Sequence, residues 1–362
     1  MIRKLGKSAQ YFLAFFSSVA FAEDNSSYFY NFESVTFSDG MAIKTILEDF
    51  NGEYREGEVA YTDSQIESGF LKELSGNNYL SISAIKRFSR WYSFSSDTGK
   101  AFHVGNNNLS VDGGEPYNID LDVVGFISDG LKVGSFIDIS EELSFYVSAT
   151  YMVAYDLTFF DGFGVLHFSD SMPTNLNYSY YYDDDVILRR PVSARSGKGV
   201  SFDLSLFYEI SSSWFTSVKL KDIGGFINWD EAPISIMSIN NEPVTISEVN
   251  KFNITPYFSG VEGYRDIRTR IPWSNEINVA YIKRDGNGVY ASSFNNAYFN
   301  DLAVGIYFPF PMMRFKVDYS IRANALKLSY ETDTSRLSVK LDSLNEKNIS
   351  TVGLSLFMEV RL

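Results

Sequence analysis

The C-terminal third of the chain alternates. Across residues 314–322 (Arg-Phe-Lys-Val-Asp-Tyr-Ser-Ile-Arg) every second side chain is apolar and the others are polar or charged. Leu326, Leu328 and Tyr330 repeat the pattern against Lys327, Ser329 and Glu331. Leu337, Val339 and Leu341 repeat it against Arg336, Ser338, Lys340 and Asp342. A last run of Val352, Leu354, Leu356, Met358, Val360 and Leu362 stays apolar on one face to the final residue. Side chains alternate faces along a strand, so each run predicts a β-strand with one greasy face. Thr332-Asp333-Thr334 is a short polar link of hairpin length. A soluble sandwich accounts for one or two such strands. Four nearly consecutive ones on tight turns predict a membrane barrel.

Earlier segments keep the period with more interruptions. Leu143, Phe145, Val147, Ala149 and Tyr151 alternate with Ser144, Tyr146, Ser148 and Thr150; Phe202, Leu204, Leu206 and Tyr208 alternate with Ser201, Asp203 and Ser205. Ile277, Val279 and Tyr281 form another row, as do Leu302, Val304, Ile306 and Phe308. At about 10 residues per spanning strand plus connections, the chain holds roughly 12 to 16 strands, and the preference for even numbers points to about 14. The expected fold is all-β: a transmembrane, antiparallel, up-and-down β-barrel. An open sheet edge would strand unpaired backbone groups in hydrocarbon, so the sheet must close.

The N-terminal end reads differently. Arg3, Lys4 and Lys7 precede an apolar stretch over residues 11–21, and Ala20-Phe21-Ala22 fits the small-x-small cleavage rule. Residues 1–22 are therefore expected to be a cleavable signal peptide, too short to cross about 30 Å of hydrocarbon as a helix. Residues 23–40 read as a first strand or a luminal plug, and 41–362 as the barrel. Long loops are expected near 170–198 and 230–272, the second with strand extensions and with Pro233, Pro243, Pro256 and Pro272. Asn177-Tyr178-Ser179-Tyr180-Tyr181-Tyr182 and the three aspartates after it read as a solvated loop tip. Asp161-Gly162-Phe163-Gly164 reads as a β-turn.

Composition narrows the function classes. Aromatic residues make up 16 % of the chain; they form strands readily and populate the interfacial girdles of barrels. Losing Arg3, Lys4 and Lys7 with the leader takes three of the 31 basic residues, which leaves a net charge of −17 against 45 acidic ones. That balance excludes a nucleic-acid partner, which needs a basic footprint. With no cysteine there is no disulfide framework and no thiolate metal site. The expected partners are outer-membrane lipid and lipopolysaccharide, with the barrel-assembly machinery engaging the C-terminal strand. No cofactor or metal motif is present.

Candidate chemistry is sparse. If the greasy faces meet lipid, Lys316, Asp318, Arg322, Lys327, Glu331, Arg336, Lys340, Asp342, Glu359 and Arg361 face the lumen. Both signs interleave there, so they can pair across strands and fill the interior. A water-filled pore has a polar interior too. His167 and Ser169 sit two apart, on one face of a strand, as a nucleophile and its base would in a barrel lipid hydrolase. Asp170 follows the serine where such enzymes commonly carry Asn.

The segment 199–229 carries a resemblance. Phe202-Asp203-Leu204-Ser205-Leu206, then Trp214, then Val218-Lys219-Leu220-Lys221-Asp222-Ile223-Gly224-Gly225-Phe226-Ile227-Asn228-Trp229, resembles outer-membrane barrels of the long-chain fatty-acid channel type, including their PorV-like and conjugation-associated relatives. In these a strand runs into an Asp-Ile-Gly or Asn-Ile-Gly corner, often with a Trp. The resemblance implies about 14 strands and an N-terminal luminal plug, but transfers no ligand residue. Leu362 departs from the Phe or Trp that usually ends such barrels. Three functions are carried forward: passage of a small solute, hydrophobic ones included; a non-transporting envelope scaffold or secretion and surface-assembly partner; and a lipid hydrolase on His167 and Ser169.

Overall fold

The computed structural model describes residues 26–47, 53–75, 78–107, 109, 115–168, 173–184, 192, 195–240, 245–246, 252–253, 258–310 and 312–361. Five strands come first: β1 (Ser26–Ser38), β2 (Val59–Ser75), β3 (Asn78–Phe94), β4 (Tyr117–Asp138) and β5 (Leu143–Leu166). Next are β6 (Asn175–Tyr182), β7 (Gly197–Ser211) and β8 (Trp214–Asn240), followed by a small hairpin of β9 (Thr245–Ile246) and β10 (Phe252–Asn253). After β11 (Phe258–Arg270) the strands are short: β12 (Ser274–Ile282), β13 (Gly288–Asn296), β14 (Asn300–Phe310), β15 (Met313–Ser320), β16 (Ala325–Glu331), β17 (Ser335–Leu341) and β18 (Thr351–Arg361). Helix α1 (Ile43–Leu47) lies between β1 and β2, and α2 (Ser96–Asn107) between β3 and β4.

Neighbouring strands pair antiparallel, and β1 bonds to both β2 and β18, from Ser27↔Arg361 to Phe37↔Thr351. That last pairing closes the sheet. Two wall positions are each filled by two elements laid end to end. β6 sits above β7 alongside β5, and β11 sits above β12 alongside β8. Sixteen paired elements thus make a closed barrel of 14 strand positions. The connections at one end are short, as at 139–142, 212–213 and 332–334, and those at the other include the longest. Short turns mark the periplasmic side of an outer-membrane-type barrel. The wall is tall from β2 to β8 and low from β13 to β18, so the tall strands continue beyond the spanning band as an extracellular extension.

Burial shows which face meets what. On β16, Leu328 is 53 % exposed while the adjacent Ser329 is 6 % exposed. Leu326, Val304, Leu302, Val352 and Leu354 are exposed like Leu328; Asp318, Ser320 and Ser338 are buried like Ser329. Apolar outside and polar inside inverts a soluble protein and requires hydrocarbon as the outer solvent. On β5 the greasy outer row of Val147, Tyr151 and Val153 ends at Tyr155. There Lys86 donates to Asp129 (3.1 Å) and to the Tyr155 hydroxyl (2.7 Å). This ionic group marks the upper edge of the membrane band.

Two local expectations are corrected. The tyrosine segment is strand β6, with Tyr180, Tyr181 and Tyr182 buried. It pairs with both β5 and β8, and Tyr180 stacks on Tyr182 at 4.6 Å. The aspartates after it suggested solvent, but aromatic packing on both faces holds the segment in the wall. Asp161-Gly162-Phe163-Gly164 is likewise within β5, because β6 supplies its ladder partners from Ser179 to Leu176. Only Gly164, at φ +146°, departs from ordinary strand geometry.

Candidate functional site

The lumen is bridged by charge. Arg87 on β3 sends Nη1 to Asp222 of β8 at 2.7 Å and Nε to Asp63 of β2 at 3.0 Å; Lys221 of β8 reaches Asp63 at 3.3 Å. Ser89 also donates to Asp63. A second group lies beside it: Lys132 of β4 meets Asp203 of β7 at 2.9 Å and Glu67 of β2 at 3.7 Å. Ser83 adds a hydrogen bond to Glu67 at 2.6 Å. Period two aims Asp63 and Glu67 inward from β2, and Ser83, Arg87 and Ser89 inward from β3. Asp222 enters because the chain turns there: Asp222 and Gly224 have φ of +60° and +61°, so the Asp-Ile-Gly-Gly corner swings the carboxylate into the barrel. The space left among Gln65, Arg87, Asp203 and Asp222 is about 10 Å³, at the lower limit for one water. Below it a cavity of about 330 Å³ opens at the periplasmic mouth, lined by Phe207, Phe215, Tyr307, Glu142 and Glu209 among others.

Above this ionic floor the wall is broken. Pairing of β5 with β7 stops at Ala154↔Gly197, and pairing with β6 resumes at Thr158↔Tyr182. Between these two registers, Tyr155 and Asp156 have no ladder partner on that side among the described residues. Across the gap, β8 has no ladder partner on that side between Trp229 and Ile234 among the described residues, while β11 still pairs with its other edge. Asp156 on one lip and Glu231 on the other take φ of +61° and +48°, an unusual backbone for residues with a Cβ. Behind the gap sits an apolar cluster that includes Met152, Ala154, Leu157, Trp229, Ala232 and Ile234, with Ala154 and Ala232 wholly buried. Asp183, the residue after β6, donates its backbone N–H to the Leu157 carbonyl at 3.2 Å. It lies beyond Tyr155, outside the membrane band. Burial, then repulsion from Asp156 and Asp184, pushes its carboxyl up to about 6 against the opposing pull of backbone N–H donors.

Of the C-terminal charged residues, Asp318 is buried and Lys316, Lys327, Glu331, Lys340, Asp342 and Glu359 are half-buried, whereas Arg322, Arg336 and Arg361 are exposed. Glu331 holds Lys316 at 2.6 Å and Arg336 at 2.8 Å; Asp318 accepts from Tyr290; Lys340 reaches Asp301 at 3.2 Å. Lys327 stands opposite Asp318 and Lys340 in register. Arg322 leans to Asp39 at 3.7 Å at the extracellular rim, where Asp342 caps Ser350 and Thr351 N–H groups. Glu359 and Arg361 occupy the periplasmic end of β18. The bridging residues Asp63, Glu67, Arg87, Lys132, Asp203, Lys221 and Asp222 escape the sequence reading. Their signal is weak, since the partners stand on different strands far apart in sequence and no local spacing links them. His167 places Nδ1 at 2.7 Å from the Pro173 carbonyl, so that nitrogen carries the proton; Ser169 lies outside the described residues.

No protein-family model and no curated protein matches the chain by sequence. Solved structures do resemble it. A TodX deltaS2S3 mutant monoaromatic hydrocarbon channel is 12 % identical with a TM-score of 0.47, over 94 % of this chain and 90 % of that one. The Pseudomonas putida toluene transporter TodX gives 11 % and 0.46, over 94 % and 89 %. A Pseudomonas aeruginosa FadL homologue gives 9 % and 0.36, over 93 % and 90 %. These structural neighbours are of the channel group that the Asp222 corner resembles. The barrel assignment for this chain rests on its own strand pairing and inverted burial.

Proposed function

We propose that the protein is an outer-membrane barrel of a Gram-negative bacterium that admits a small hydrophobic solute from outside and releases it sideways through the break between β5 and β8. The observation that carries this reading is the wholly apolar cluster of Ala154, Leu157, Trp229 and Ala232 standing behind an interrupted wall strand, directly above an ionic floor. An uncharged solute gains nothing from crossing the Arg87 and Lys132 networks, because it would displace charge pairs and leave their members unpaired. The lower lip of the gap, at Ala154, lies within the band that ends at Tyr155, where hydrocarbon is the better solvent.

Uptake of a labelled small hydrocarbon by cells producing the protein tests the reading. Ala232→Trp fills the cluster without touching the ionic floor, and uptake should fall to that of cells without the barrel. Heat-modifiable mobility of the variant on a gel confirms that it still folds. Uptake by the parent no faster than by cells lacking it would sink the proposal, and unchanged uptake by Ala232→Trp would sink the lateral route.

A further inference from the structure

The extracellular mouth holds a second apolar cluster, apart from the one behind the break. Phe37 of β1, Tyr61 of β2 and Trp91 of β3 form one wall. Phe299, from the turn between β13 and β14, reaches over the opening and meets Phe37 with ring centroids 4.4 Å apart. Tyr61 stacks on Trp91 at 4.5 Å and 17°. Tyr298, only partly buried, stacks on the same indole at 5.7 Å and 23°. An aromatic ring parked on a buried indole at the mouth is a placeholder that another flat ring can replace.

Two N–H donors in this cap have no hydrogen-bond partner among the described residues: Trp91 Nε1 and Asn296 Nδ2. Their residues are 4 % and 8 % exposed. The amide orientation of Asn296 is fixed by its neighbours, because Oδ1 accepts from Tyr298 N–H at 2.8 Å and Phe299 N–H at 2.7 Å. Its nitrogen must therefore point elsewhere. A buried donor left unpaired loses its bond to water without replacement, so most such groups find partners. Here two stand in one aromatic cluster, each next to Tyr298 through stacking or through the turn.

We propose that this cap is an entry site for a flat aromatic solute bearing a hydrogen-bond acceptor, such as an aryl carbonyl. The solute ring takes the place of Tyr298 on Trp91, and its acceptor oxygen receives the indole and amide N–H groups. The inference rests on the transport reading and narrows its solute class. A plain hydrocarbon fills the same stack but leaves both donors unpaired, which lets the site discriminate between ligands of equal size.

Acetophenone and ethylbenzene form a matched pair of probes, one with an acceptor and one without. Titration of the purified barrel in detergent should show acetophenone binding about tenfold tighter, the ratio equivalent to 1.4 kcal/mol. Trp91→Phe keeps a ring but loses the donor, and Asn296→Asp keeps the turn acceptor but loses the donor. Each should erase the acetophenone advantage, bringing the ratio of the two affinities to about one. Tyr298→Ala should tighten both probes. Equal affinity of the parent for the two probes, or variants that weaken both alike, would overturn the inference. If ethylbenzene enters cells while acetophenone has no advantage, only the acceptor claim fails. If neither probe binds or enters, the transport reading falls with it.

Discussion

Arg87 and Asp222 meet across the barrel at 2.7 Å, from strands separated in the wall by β4, β5 and β7, and both side chains are only 4 % exposed. A charge pair taken this far from water is held by its partners, and its removal is asymmetric. Arg87→Ala strips Asp222 of its ion-pair partner and leaves Asp63 with Lys221 alone, at 3.3 Å. The expected loss is about 3–5 kcal/mol of stability, the range for breaking one side of a buried pair. Chemical unfolding of the detergent-solubilised barrel measures it. The same variant should raise ion conductance in planar bilayers, since the pairs that bridge the lumen are undone. A variant as stable and as closed as the parent would show that the floor is not built on this contact.

Sequence legibility followed solvent contrast. Residues 314–361 have lipid on one face and charge on the other, so their alternation reads directly as strands, and the turn at 332–334 falls where hairpin chemistry puts it. The extracellular extension lacks that contrast. In β6, Tyr180 and Tyr182 on one face and Tyr181 on the other are all buried, so no period shows and the aspartates after them suggest a loop. Nor does the Arg87–Asp222 pairing have a local signature, because its members are 135 residues apart and meet only once the sheet has closed. The interrupted wall is hidden for the same reason: β6 and β7 look like two strands until their shared partner, β5, is known.

The outer rows should reject charge. Leu328, 53 % exposed at the middle of β16, faces hydrocarbon. Leu328→Arg is expected to cost about 2–4 kcal/mol in a bilayer, the penalty for a cation near the midplane. Folding into lipid vesicles at increasing urea measures the loss. In a soluble protein the same exposed position would tolerate arginine within about 0.5 kcal/mol, so a neutral result would place this face in water.

The corner that delivers Asp222 depends on one glycine. Gly224 has φ +61°, and a Cβ there would meet nothing within 4 Å, so substitution tests backbone strain alone. Gly224→Val should cost about 1–2 kcal/mol, and Gly224→Asn, which tolerates left-handed geometry, distinctly less. Paired unfolding curves for the two variants decide the point; equal losses would mean that the bulk of the side chain matters after all.

Acid should strengthen the lip of the wall break. The Asp183 carboxyl is pushed up to about 6 by burial and by Asp156 and Asp184, against about 3.9 in an unfolded chain. Between those values the folded protein binds more protons than the unfolded one, so stability falls as pH rises through the window and is regained on acidification. Asp183→Asn removes the titration. The variant should gain on the parent at pH 7 and lose that gain near pH 4, as read from unfolding curves of both proteins across the range. Above pH 6 the ionised Asp183 repels Asp156 across the gap, while its backbone N–H still holds the Leu157 carbonyl. The lip is therefore least secure at neutral pH, so hydrocarbon uptake through the break should slow as the medium is acidified to pH 5. Asp183→Asn should show the slow rate at every pH; uptake that ignores both pH and the substitution would remove Asp183 from the exit.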